Sequence, residues 1–433
     1  MTHVPKRTTA RLLPGPCLLL CLALPGIAAG QAGVEASQQH LRDANAAREA
    51  GDLQSFTASL EKAHELNPAS YYTRYNLARG YALTGRADAA LDILERLVAA
   101  RVDFGMVDDP RLDALRGLPR FAELTERLAA LTAPQATARP YLSMPRLDLV
   151  PEGIAWDAAR RRLFIGSMRT GEVFAVDRHR QVTKFATVEY DGKLAAIGMT
   201  VDPGRNLLWV IGSPFGLTEG DPADAPTVSG VFGFDLDTGE LQRSAVRDTS
   251  DHEFNDVTLA PNGDLYLSGT QLGRLPNGAD AIESLALSEP VFGSNGIVVT
   301  PDGRHLVTAS YPAGLAVVRL ADGKTTFPDA PDNVPLYGID GMYWHDGDLV
   351  AVQNGVRPWR LMRFALNADL TGIVEATTLE FGNPAAIPTT GAIVGNEIHY
   401  LGQGTAPGEA PSHLPAGLHP YLGPVVIMTA PLH

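Results

Sequence analysis

Cysteine is nearly missing from this 433-residue chain: there are two, Cys17 and Cys21, both within the first thirty residues. That leader places Lys6, Arg7 and Arg11 before or at the start of an apolar run, Leu12 to Ala29. Pro14, Pro16 and Pro25 interrupt the run, and it ends in the small residues Ala28-Ala29-Gly30. This pattern predicts a signal peptide over residues 1–30 rather than a spanning helix. Neither cysteine follows the small residues that a lipidated leader requires. Beyond residue 30 there is then no disulfide, no thiolate ligand and no cysteine nucleophile, so stability rests on packed cores. No later stretch is apolar for long enough to span a bilayer. Positive charge is also in the minority. The 35 Lys and Arg stand against 49 Asp and Glu, a formal −14, and loss of the three leader cations takes this to −17. Such a surface argues against nucleic acid and anionic membrane as partners. The expectation is a soluble exported protein, periplasmic or secreted.

The length predicts more than one domain. Residues 36–133 are rich in Ala, Leu, Glu and Arg, with turn signals at Gly51-Asp52, Asn67-Pro68, Gly85-Arg86 and Leu118-Pro119. They read as paired helices, with a last pair from about Pro110 to Leu131. Gly51 and Gly85 mark two segments at a 34-residue period. Leu77, Ala78, Tyr81, Gly85 and Ala90 in the second segment, and Ala44, Gly51, Ala63 and Pro68 in the first, resemble the tetratricopeptide pattern. That resemblance implies a docking or capping module, with a protein partner reached through the repeats. A plain helical hairpin bundle is the alternative. A Thr/Ala/Pro linker follows at 134–140.

From residue 141 to 433 short runs of Val, Ile, Leu, Phe, Tyr and Trp alternate with tight turns such as Asn262-Gly263, Asp302-Gly303 and Asp346-Gly347. These supply the positive φ that hairpins need, and the region reads as all-β. One strand start recurs six times: at Glu152, Ile197, Asn255, Asn295, Asp340 and Thr390, each followed by a small or polar residue and then alternating apolar ones. The intervals are blade-sized, which predicts a six-bladed β-propeller preceded by a small α-helical domain. Residues 423–430 and 141–149 can supply the third and fourth strands of the last blade and so close the ring.

Equivalent positions of a closed ring converge on its axis. Glu152, Asn255, Asn295 and Asp340 would then bring two carboxylates and two carboxamides together, with Ile197 and Thr390 not ligating. Oxygen donors without His or Cys favour a hard divalent ion, Ca²⁺ first, with Mg²⁺, Mn²⁺ and Zn²⁺ also admissible. The motifs Pro-Glu152-Gly-Ile-Ala-Trp-Asp, Phe-Asn255-Asp, Ser-Asn295-Gly-Ile-Val-Val-Thr-Pro-Asp-Gly and Ile-Asp340-Gly-Met resemble the senescence marker protein/gluconolactonase (regucalcin-like) propellers. They are also similar to diisopropylfluorophosphatase and, more distantly, paraoxonase. The resemblance implies that the four residues are metal ligands and that Asp340 also acts as general base or nucleophile. Sugar-lactone members tend to carry Arg two residues before the second ligand; here that residue is Glu253. His252 is a candidate proton shuttle or a loop histidine, and Tyr190, Phe215 and Tyr337 are candidate substrate-wall residues.

Two functions follow as expectations. One is a metal-dependent hydrolase of small lactones or esters. The other is a non-catalytic scaffold or ligand-binding propeller whose ion is structural. A propeller in which these residues hold no metal is a third.

Overall fold

Polar side chains that compete with the helical backbone set where several helices begin. The computed structural model describes residues 32–433 apart from 147, 220–226, 250–252, 385–386 and 404–422, so the expected signal peptide and His252 lie outside the described residues. Helices α1 (Ala32–Glu49), α2 (Leu53–Leu66), α3 (Tyr71–Leu83), α4 (Ala87–Ala99) and α5 (Pro119–Leu131) form the first domain. The Asp52 carboxylate accepts the Ser55 N–H, and the Ser70 hydroxyl accepts that of Thr73, so both satisfy first-turn donors. Gly51 and Gly85, at φ 77° and 79°, reverse the chain between paired helices. The last pair differs from expectation. Pro110–Leu115 forms a 3₁₀ turn rather than a helix. Asp109 caps it through the Arg111 N–H, and Gly117 and Pro119 leave no room to lengthen it. No helix among the described residues is long and apolar enough to cross a membrane.

The remaining chain forms six antiparallel sheets of four strands. Their inner strands are Pro151–Asp157, Ala195–Asp202, Phe254–Leu259, Ser294–Val299, Ile339–His345 and Ile387–Val394, in blades one to six. In blade six the third strand is Val425–Pro431 and the outermost is Arg139–Met144, so both ends of the domain share one sheet and close the ring.

Every inner strand carries a bulge at the same place. In blade one Pro151 pairs with Ser167 and Ile154 with Ile165, so Glu152 and Gly153 face Gly166 alone. The same two-against-one register falls at Ile197-Gly198, Asn255-Asp256, Asn295-Gly296, Asp340-Gly341 and Thr389-Thr390. A bulge re-aims side chains and bends the strand, which suits a ring of strand starts around an axis. In blade six the register corrects the sequence reading: Thr389 is the equivalent of Glu152, and Thr390 is the residue after it.

Four of the second bulge residues are glycine because the next blade leaves no space. A Cβ on Gly296 would lie 2.5 Å from Asp340 O and 2.7 Å from Met342 N, both backbone atoms. Gly296→Ala is expected to destabilise the fold by about 1–3 kcal/mol. Urea unfolding measures this, and an unchanged midpoint would mean that the blades are free to part there.

The helical domain is docked on the propeller. Tyr337 and Val356, both from blade five's loops, sit in one hydrophobic cluster with Tyr71, Tyr75, Leu97 and Leu112. Asn67 Nδ2 donates to Pro312 O at 2.8 Å, and the Asp103 N–H to Arg357 O at 2.7 Å. The guanidiniums of Arg101 and Arg360 lie 4.2 and 4.7 Å from the centre of the Phe381 ring.

Candidate functional site

The six first bulge residues are Glu152, Ile197, Asn255, Asn295, Asp340 and Thr389. Asp340 is buried, whereas Glu152, Asn255 and Asn295 are half-buried. Asp340 accepts hydrogen bonds from the side chains of Asn295 and Asn354, which favour its charged form. Burial outweighs both and pushes the Asp340 carboxyl up to about 7. Glu152 is held well above the ordinary carboxylate range by burial, then by the charges of Asp340 and Asp256. Ile197 is buried and offers no donor. Asn255 holds the equivalent place in blade three.

Asp256 is the residue that sequence reasoning missed. It takes the second bulge position of blade three, where four other blades have glycine. Its Oδ1 accepts the Val257 N–H at 2.8 Å. Burial, reinforced by Asp340, pushes its carboxyl up to about 7. The available signal was that Asn255 is followed by an acid where Glu152, Asn295 and Asp340 are followed by glycine.

Below this level a cavity of about 270 Å³ runs down the axis, lined in part by Gly153, Gly198, Asp256, Thr258, Tyr343 and Thr390. The Tyr343 hydroxyl accepts the Gly391 N–H, and Thr390 Oγ1 donates to Glu152 O, so both tie blade six to its neighbours. Thr389 Oγ1 is buried without a hydrogen-bond partner among the described residues. An unsatisfied buried hydroxyl is costly, so Thr389→Val should raise the stability of chelator-treated protein by about 1 kcal/mol. Thermal unfolding checks it; a loss of stability would mean that the hydroxyl is in fact satisfied.

The remaining sequence candidates are dispersed. Glu253 pairs with Arg247 at 2.9 Å, and that guanidinium also donates to Ile282 O, so neither charge is left unpaired. Tyr337 is buried in the domain interface, and Phe215 packs against the hydrophobic cluster of blades two and three. Tyr190 is exposed, 6.5 Å from the Phe232 ring.

The donor set fits a hard cation. Asp340 and Asp256 raise Glu152 by their charge and Asp340 raises Asp256, and among the described residues no cation takes part in these shifts. The Thr389 hydroxyl, without a partner among the described residues, adds an oxygen at the equivalent bulge position of blade six. No three His, Cys, Asp or Glu side chains among the described residues close on a single point. The ring's set is instead two carboxylates and two carboxamides, with Asp256 one residue further on.

Residues 47–118 match the family model of the tetratricopeptide repeat. No curated protein matches the chain in sequence. Among solved structures it is similar to a gluconolactonase from Xanthomonas campestris, at 16% identity over 70% of this chain and 93% of that one, TM-score 0.46. It is also similar to a luciferin-regenerating enzyme, at 11% identity over 69% and 95%, TM-score 0.47. Identities this low say nothing of the chemistry.

Proposed function

We propose that this chain is an exported, metal-dependent hydrolase of lactones or related esters, with the ion on the propeller axis. The observation that carries the reading is the shared bulge register of the inner strands, which gives Glu152, Asn255, Asn295 and Asp340 equivalent places around the axis, with Asp340 accepting from Asn295. The desolvated carboxyls of Glu152, Asp256 and Asp340, which face no cation among the described residues, are held at a cost in stability that a bound cation would offset. Glu152, Asn255, Asn295 and Asp340 would hold it, and all-oxygen donors favour Ca²⁺, with Mg²⁺, Mn²⁺ or Zn²⁺ admissible. Bound there, such an ion supplies Lewis-acid polarisation of a carbonyl oxygen.

The chain's own part falls to Asp340. Its carboxylate is oriented by Asn354 and Asn295, so it stands ready to take a proton from water or to attack the carbonyl carbon itself. In the first case the water oxygen adds to the carbonyl carbon and the ester or lactone C–O bond breaks. Asp340 then returns its proton to the departing alkoxide. In the second, an Asp340 oxygen adds to the carbonyl carbon and the C–O bond breaks; the departing alkoxide takes a proton from water, and a water then cleaves the acyl–Asp340 anhydride to release the acid and restore the carboxylate.

The test uses the purified chain without its leader. Ion content and turnover of lactones and aryl esters are measured before chelation, after it, and after calcium is added back. Turnover that leaves and returns with the ion supports the hydrolase. Bound ion with no turnover favours a non-catalytic propeller with a structural ion, a role that suits a docked helical-repeat domain. No bound ion in any condition overturns the axial reading.

A further inference from the structure

The Asp340 carboxylate is held by a residue that is not on an inner strand. Asn354 follows the second strand of blade five, Asp348–Gln353, and its Nδ2 donates to Asp340 Oδ2 and, at 3.1 Å, to Pro388 O. Its Oδ1 accepts the Tyr311 hydroxyl at 3.0 Å. A carboxylate and a backbone carbonyl only accept, so the amide nitrogen must face them, and the orientation of Asn354 is determined. A carboxylate pinned through one oxygen presents the other in a fixed direction.

Asn354 begins a loop that ends under the helical domain. Val356 is fully buried in the helical cluster. The next residue's carbonyl, Arg357 O, accepts the Asp103 N–H. Arg360 is 3% exposed and donates to Ala100 O at 3.4 Å and Arg101 O at 2.7 Å. Tyr311, which holds the other end of Asn354, precedes Pro312, whose carbonyl accepts Asn67 Nδ2. Gly338 joins the two segments: its N–H donates to Tyr311 O at 2.8 Å and its carbonyl accepts the Gly355 N–H at 3.0 Å.

We propose that the helical domain positions Asp340: by gripping the segments 354–360 and 311–312 it holds Asn354 where its amide fixes the Asp340 carboxylate. Asn354 is thus a positioning residue, and the helical repeats are part of the site's support. The inference rests on the axial-ion reading for its effect on the ion, but the mechanical link does not.

The experiment compares Asn354→Ala, Val356→Ala, the double variant and Tyr71→Phe in the full chain without its leader. The Tyr71 hydroxyl donates to Asp332 O at 3.3 Å, outside both gripped segments; Tyr71→Phe removes that bond, keeps the ring in the cluster with Val356, and serves as the interface control. Calcium affinity is read by titration calorimetry. Hydrogen exchange of segments 339–345 and 354–360 is read in calcium-free protein. Loss of a partner that orients a metal-bound carboxylate lowers affinity by about 10–100-fold, and that is the expectation for Asn354→Ala. Val356→Ala should weaken calcium several-fold in the parent chain and not further in the Asn354→Ala background, because both act through one contact. Tyr71→Phe should leave affinity unchanged. Val356→Ala should also speed exchange in both segments. If Val356→Ala does not fold, Asn67→Ala, which cuts the tie at Pro312 without opening a core cavity, carries the same expectation. Equal effects of Val356→Ala in both backgrounds, or faster exchange confined to residues 32–131, would overturn the proposal. A parent chain that binds no calcium removes the axial-ion reading instead, and the exchange data then decide the link alone.

Discussion

Asp340→Asn is expected to lower kcat by about 10³-fold or more while making the ion-free protein more stable at pH 8. The first effect follows from the role of the carboxylate. An amide cannot take a proton from water or attack a carbonyl carbon, and general-base catalysis contributes about 10²–10⁴-fold by itself. Calcium affinity falls as well, since one of two ring carboxylates is gone. The second effect runs the other way because the ion-free ring is electrostatically strained: Asp340 raises both Glu152 and Asp256 by its charge. Asparagine keeps the shape and an oxygen to accept from Asn354, yet removes the charge. Steady-state kinetics on lactones and aryl esters, with urea unfolding in chelator, measure the two together. A hydrolase predicts lost turnover with gained apo stability. Undiminished turnover would remove Asp340 from the mechanism. In a scaffold the same change leaves partner binding intact.

The all-β region was legible because its turns and strand starts are local signals. Asn-Gly and Asp-Gly pairs mark hairpins, and one strand start recurs at blade spacing. The first bulge residue could be read in five blades for the same reason. Blade six misled by one position because Thr390-Gly391 imitates Glu152-Gly153; there Gly391 pairs with Tyr400, as Ile154 pairs with Ile165. Asp256 was hidden by a motif that tolerated any small or polar residue at its place, although its side chain is the one acid among the second bulge residues. Asn354, Tyr311 and Val356 carried no local signal at all. They look like ordinary loop residues, and their roles come from contacts between segments far apart in sequence. The helical repeats could be read from their period, but their docking on blades four and five could not.

Chelated protein should lose stability as the pH rises from about 4 to about 7, and calcium should restore it. Asp340 and Asp256 each titrate at about 7 in the fold against 3.8 as the ordinary value, chiefly through burial. Glu152 shifts in the same direction. Between those limits the folded chain keeps protons that the unfolded chain has released, so the contribution of these groups to stability falls with rising pH. Their share is fully present below the unfolded values and gone above about 7. A carboxyl raised this far is worth on the order of 4 kcal/mol. On the proposed axial site calcium would bind the deprotonated set, so its affinity should rise over the same window and level off above it. At a thousandfold excess over Kd it adds about 4 kcal/mol. Thermal unfolding from pH 4 to 9, with chelator and with calcium, should therefore show two curves that diverge through pH 5–7 and then run parallel. Asp256→Asn should flatten the chelated curve and keep the calcium gap, because Asp256 lies one residue beyond the ring. Asp340→Asn should flatten the curve and close most of the gap. A gap that does not depend on pH would place the ion away from these carboxyls.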